Sequence, residues 1–352
     1  MLIPFRDSHK VVYEVLEYGE SCRVPLQVES DNKDYESRFG DIVGFRAKIR
    51  VWESFYIRGG PFQRRDGERL LEWSDRVDPS QYTWPDSDEI LYAIEEYKQK
   101  SIKYAKERFT LFKVLGPTET SESFFTRPLP SNMQRLNQIM HRFDFALFLK
   151  VNPRKALKVY DRIASVILEL IKAGCELDFV DAIRIADDVA GYSGPLYPAI
   201  LLKRYIIWHR KFTEIVHRSG KWVFLHCDGD IRKRGLLTEL SNLYDGIHPL
   251  DFRPKSTLKD AIYWIKEIGH ARETIGKKKP VFFTGLPIDL IFNVSITSKD
   301  LLQVVKNLIK FHGKEWLILA TTHSPYPGRS YSEKEAREKI LFIRRSILEG
   351  RI

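Results

Sequence analysis

The chain has 352 residues, 43% of them hydrophobic and 30% charged, with a formal net charge of +10 at pH 7. That composition describes a soluble globular protein with ample core, and no run approaches the roughly 18 unbroken apolar residues of a membrane helix. Three cysteines (Cys22, Cys175, Cys227) are too few and too scattered for a disulfide framework, and the start MLIPFRDSHK lacks a signal-peptide core, so a reducing cytoplasm is the expected compartment.

From the N-terminus, CRVPLQVES (22–30) and RFTLFKVLGPT (108–118) read as strands. Between them lies an Arg- and aromatic-rich insertion containing YIRGGPFQRR, followed by a Pro- and Asp-rich loop, DPSQYTWPDSDE (78–89). Residues 88–108 and 133–176 are helical by period. The second half is more regular. Short apolar runs recur at DAIRIADDV (181–189), KWVFLHCDG (221–229), GIHPLDF (246–252), KPVFFTGLP (279–287) and WLILATTH (316–323), each ending on polar, Gly or Pro positions.

Helical patterns separate these runs. PAILLKRYIIWHRKFTEIVHRSG repeats its apolar residues at three- and four-residue intervals and closes on Gly220. TLKDAIYWIKEIGHARETIG and TSKDLLQVVKNLIKFHGK both open on Thr with Asp at the third helical position, close to a capping box, and end on Gly276 and Gly313. Alternation of strand and helix predicts a parallel sheet covered by helices. The expected fold is an α/β (β/α)8 TIM barrel over 1–352, with 1–105 as N-terminal helical and loop decoration and 106–352 as the barrel body. An open doubly wound sheet is the competitor, although no GxGxxG or GxxxxGK[ST] phosphate loop is present.

In a (β/α)8 barrel the strand C-terminal ends form one active-site face. Polar residues gather there: Asp187-Asp188, His226 with Asp228, His248 with Asp251, and Thr321-Thr322-His323. Strand side chains alternate, so His226 and Asp228 share a side, while only one of Asp187 and Asp188 can face a pocket. His226, Asp228 and His323 form a candidate two-His, one-carboxylate metal site, suited to zinc or ferrous iron rather than magnesium. Cys227 is expected to be an inert buried thiol. The basic clusters lack interleaved stacking aromatics, so the net charge points to an anionic small molecule and not to nucleic acid.

SCRVP (21–25), QYTWPDSDE (81–89), IADDVAGYSGPLYPAILLKRYI (185–206), WVFLHCDGDIR (222–232), GIHPLDF and LILATTHSPYPG, in that order, resemble the uroporphyrinogen decarboxylase superfamily. The resemblance covers nearly the whole chain and is nearest to the corrinoid methyltransferase-like branch. It implies an enzyme with Asp187, Asp188, His226 and His323 as catalytic candidates. Tyr192, Arg58, Arg64, Arg65, Arg232 and Asp251 are the residues expected around an anionic tetrapyrrole or corrinoid, free or protein-bound. A homodimer is compatible with it, and neither membrane nor nucleic acid is an expected partner.

Two chemistries stay open. Methyl transfer would use a corrinoid donor and a divalent metal such as zinc; decarboxylation of a tetrapyrrole acetate group would need no cofactor. A barrel that binds a tetrapyrrole or corrinoid protein without chemistry is the third reading. The departures from the family bear on all three. The Arg-Gln-Ala-Gly-Arg segment with which the decarboxylases hold substrate carboxylates is absent. The His-x-Cys of the zinc methyltransferases becomes His226-Cys227-Asp228, and no cysteine follows residue 227.

Overall fold

The computed structural model describes residues 7–128, 144–276 and 280–352. Eight strands form one sheet: β1 (Leu26–Gln27), β2 (Ile42–Arg46), β3 (Phe109–Leu115), β4 (Ala182–Ala186), β5 (Trp222–Cys227), β6 (Gly246–Pro249), β7 (Val281–Leu286) and β8 (Leu317–Thr321). Their spatial order is 1-8-7-6-5-4-3-2, and every pairing is parallel. The seam between β1 and β2 is drawn together by Asp41. Its backbone N–H donates to the Leu26 carbonyl at 2.7 Å, and its buried carboxylate accepts from the Leu26 N–H at 2.9 Å and from Arg23. This is a nearly closed (β/α)8 barrel, not an open sheet. β1 and β2 come from within residues 1–105, so that stretch supplies two barrel strands as well as decoration.

Helix α1 (Ser8–Tyr18) precedes the first strand, and the principal outer helices are α2 (Pro117–Phe125), α3 (Pro153–Cys175), α4 (Ala199–Arg218), α5 (Leu258–Ile275), α6 (Ser298–His312) and α7 (Lys334–Leu348). The Thr-x-x-Asp signals are caps: the Thr257 hydroxyl accepts from the Asp260 N–H, and Thr297 and Asp300 form a reciprocal box. Residues 88–101 are helical within Ser87–Ser101, whereas 102–108 turn back to enter β3. Part of the helical expectation over 133–176 lies outside the described residues; Asp144–Val151 and α3 account for the rest. The insertion after β2 packs its aromatic residues, Trp52, Phe55 and Phe62, onto Phe124 of α2.

Strand alternation divides the buried residues into two cores. One lies between the strands and the outer helices. The other unites Ile42, Phe109, Leu111, Ala182, Phe224, Val281, Phe283, Ile318 and Ala320 with Val11, Val12, Val15 and Leu16 of α1. Residues from facing strands can meet only in the lumen, so α1 plugs the barrel floor.

Candidate active site at the strand C-terminal ends

Following the lumen-facing positions upward from that floor, the side chains become polar. β1 leads through Gln27 to Glu29, β3 to Lys113, β4 to Arg184, β5 to His226 and β6 to His248. Register places Lys113 beside Arg184 and His226 beside His248. Gly44 of β2 makes room, since a Cβ there would stand 2.0 Å from Lys113 Cε. Glu29 accepts from Lys113 Nζ at 2.8 Å and pairs with the Arg184 guanidinium. Burial alone would raise Glu29, but Arg184 and Lys113 hold it well below the usual carboxylate range. Burial, reinforced by the Arg184 charge, pushes Lys113 down to about 8.

Above this ion group, His226 Nδ1 lies 2.6 Å from His248 Nδ1, and His248 Nε2 lies 2.8 Å from the Thr321 carbonyl oxygen. A carbonyl only accepts, so His248 carries its proton on Nε2 and accepts at Nδ1 from His226. The remaining nitrogen, His226 Nε2, keeps its lone pair. Burial holds His226 well below the usual imidazole range, with the His248 and Arg184 charges adding to it, and drives His248 to about 3. Burial therefore disfavours the charged form of both rings.

His226 Nε2 looks toward a carboxyl cluster. Donor atoms of Asp188, His226 and Asp228 all lie within 4.8 Å of one another, with Nε2 at 3.9 Å from Asp228 Oδ1. Asp188 accepts from the Asp228 N–H at 2.7 Å and bonds to the Glu119 side chain. Burial first, then mutual repulsion, raises Asp188 and Asp228 well above the carboxylate range and Glu119 to about 7. A second triad, Glu29, His226 and His248, meets the same distance criterion. There, however, two cations already hold Glu29 and the facing imidazole nitrogens are spent on each other.

Asp187, expected as a catalytic candidate, turns away from the lumen. It accepts from the N–H groups of Thr118 and Glu119 at 2.8 and 3.1 Å, capping α2, and pairs with His209 of α4 at 2.9 Å. Gly116 allows this approach, because a Cβ there would stand 2.2 Å from Asp187 Cβ. Asp188 is therefore the member of the pair that faces the cluster. His323 is exposed beside it, its ring centroid 6.2 Å from that of His226 and its Nδ1 3.0 Å from the Ser324 carbonyl oxygen. Asp188, not His323, completes the converging donor set with His226 and Asp228.

Asp251 is paired with Lys255 and receives the Tyr192 hydroxyl at 3.4 Å, so both flank the mouth. Arg232 is held bidentately by Asp230 at 2.8 and 2.9 Å and lies over the Phe252 ring. Arg64 donates to the Glu68 carbonyl, whereas Arg58 and Arg65 are exposed on the insertion. Among the described residues, no hydrogen bond or ion pair joins those three to a strand-end side chain. Cys227 is fully buried on the outward face, and burial pushes its thiol well up. A cleft lined by Trp52, Tyr56, Thr120 and Leu170 opens beside the barrel, and the Tyr56 hydroxyl in its wall donates to the Glu119 carbonyl at 2.8 Å.

No protein-family profile matches the chain, and no curated protein sequence matches it. Among solved structures it is similar to a B12-independent methionine synthase from Shewanella sp. W3-18-1 in complex with selenomethionine, at 13% identity over 76% of this chain and 69% of that one, with a TM-score of 0.45. It is also similar to a hyperthermophilic β-glucosidase mutant that forms a dodecamer in the crystal, at 9% identity over 88% and 86% of the chains (TM-score 0.42). A further β-glucosidase mutant derived from a hyperthermophilic tetramer shares 12% identity over 74% and 72% (TM-score 0.37). Likenesses this distant assign no activity. Among the described residues, no helix is long and apolar enough to cross a membrane.

Proposed function

We propose that the chain is an enzyme acting at the C-terminal mouth of the barrel, and that its reaction is a metal-assisted methyl transfer of the kind its uroporphyrinogen decarboxylase-like motifs imply. One observation carries this reading: the convergence of donor atoms of Asp188, Asp228 and His226 within 4.8 Å of one another. Burial and then like-charge repulsion raise the two carboxyls, and a divalent cation would relieve that repulsion. One imidazole and two carboxylates suit zinc, ferrous iron or manganese. They do not reproduce a thiolate-rich centre, because Cys227 faces outward.

A cation held there would lower the pKa of a bound methyl acceptor. His248, anchored on the Thr321 carbonyl, orients His226 and fixes its tautomer. Glu119, at about 7, stands against Asp188 as a reservoir for the acceptor's proton. The methyl donor in this reading is a methylcorrinoid presented at the open mouth, where Tyr192, Asp251 and His323 lie. The second reading is decarboxylation of a tetrapyrrole acetate. Glu119 favours it too, as an acid able to protonate a pyrrole ring at neutral pH.

The test is metal analysis of purified wild type, His226→Ala and Asp188→Asn, paired with two assays. Stoichiometric metal lost in both variants, with methylcorrinoid demethylated in the presence of a thiol acceptor, is the expected result. Carbon dioxide release from uroporphyrinogen by metal-free protein would replace it with the second reading. Tetrapyrrole binding without turnover would leave a binding barrel.

A further inference from the structure

The ion group beneath the histidines does not balance. Lys113 and Arg184 bring two positive charges into the lumen and Glu29 brings one negative. The neighbouring Glu36 lies 2.6 Å from Lys33 and 4.0 Å from Lys113. Counting Lys33 as well, three cations face two carboxylates, so one positive charge is left inside a low-dielectric barrel. Arg184 is 6% exposed, and its Nε has no hydrogen-bond partner among the described residues. Buried guanidinium N–H groups without an acceptor are costly. The pair itself is not sealed: Lys113 keeps 12% and Arg184 7% of its side-chain surface exposed.

We propose that Arg184 and Lys113 form a carboxylate subsite in the lumen, holding the acidic end of a small substrate whose reacting atom lies at Asp188, His226 and Asp228. The position of the reacting atom rests on the function proposed above; the subsite does not. A carboxylate fits because it returns a single negative charge and offers two oxygens to a planar donor fork. Arg184 sits two residues below Ala186, the register partner of His226. Two residues of parallel strand rise about 6.6 Å, so only a few carbon atoms separate the acid group from the reacting atom. The class is a short-chain carboxylic acid bearing a nucleophilic heteroatom at its far end.

Propionate and propionamide, nearly equal in shape and differing in charge, test this by calorimetric titration of wild type with and without prior chelation of metal. Propionate should bind metal-free protein at least about tenfold more tightly than propionamide, the factor expected of one charge-assisted contact. Arg184→Gln should erase the difference. Glu29→Gln should tighten propionate binding, because it removes the resident competitor; a purely structural ion group has no reason to do so. Circular dichroism establishes that each variant is folded, and Glu29→Gln decides the matter if Arg184→Gln is not. Equal binding of the two probes to wild type, or propionate binding not tightened in folded Glu29→Gln, overturns the subsite. Propionate binding retained without any methyl transfer leaves the subsite standing and removes the function.

Discussion

His226 and His248 share one proton between facing Nδ1 atoms 2.6 Å apart, and the Thr321 carbonyl at the other end of His248 decides which ring donates. The chain of bonds runs from the last strand of the barrel across β6 to β5, so that the reactive nitrogen on β5 is set by backbone on β8. Replacing His248 by Phe would leave the His226 Nδ1 proton without an acceptor and free the ring to turn. Metal affinity of His248→Phe should fall by about 10- to 100-fold, the usual cost of losing the group that orients a ligand histidine. Metal titration of folded protein checks this.

The adjacent aspartates should separate cleanly. Asp187→Ala strips the cap from α2 and leaves buried His209 Nε2 without its hydrogen-bond partner, at a cost of about 2–4 kcal/mol. Asp188→Asn removes one ionisable group from a crowded carboxyl cluster and should leave stability unchanged or improved. Denaturant unfolding measures the first difference, and metal stoichiometry, lost only in Asp188→Asn among the folded proteins, measures the second.

Glu122 should make the fold less stable as pH rises through weak acid. It is 6% exposed, accepts the Tyr197 hydroxyl at 2.6 Å, and is pushed by burial from 4.5 up to about 7. Between those values the folded state holds a proton that the unfolded chain has released, so stability falls with pH across the window and levels off above it. The loss is on the order of 3 kcal/mol at 1.36 kcal/mol per pKa unit. Melting temperatures of wild type should drop from pH 4.5 to 7.5 more than those of Glu122→Gln. Equal slopes would show that Glu122 ionises as freely in the folded protein as out of it.

Leu16 is fully buried in the floor plug. Leu16→Ala should cost about 2–5 kcal/mol, the range for emptying a packed leucine site. Because the floor is remote from the mouth, metal stoichiometry should be unchanged in the folded fraction. Chemical denaturation and metal analysis on the same sample test both halves.

Six of the eight strands are legible where apolar runs end on polar punctuation, and β1 falls within CRVPLQVES. β2 escaped, because DIVGFRAKI mixes a glycine and two cations into its run; Gly44 is there to admit Lys113, a relation between strands that local pattern does not display. His226, Asp228 and Asp188 announced themselves at the ends of strands. Glu29, Lys113 and Arg184 did not, being single charges inside LQVES, LFKVL and AIRIA. Their signal was present all the same: in a strand buried on both faces, an isolated charge has nowhere to go but the lumen. The choice between Asp187 and Asp188 stayed open, because alternation separates the two without saying which points inward.

The plug formed by α1 makes the barrel a blind well. Val11, Val12, Val15 and Leu16 close the end opposite the reactive cluster, so nothing passes through; whatever enters must back out along the same path. For two molecules that meet there, depth dictates sequence. The one seated against the lumen wall arrives first and departs last, and its exit waits on the other. Turnover in such a vessel has a queue built into its shape.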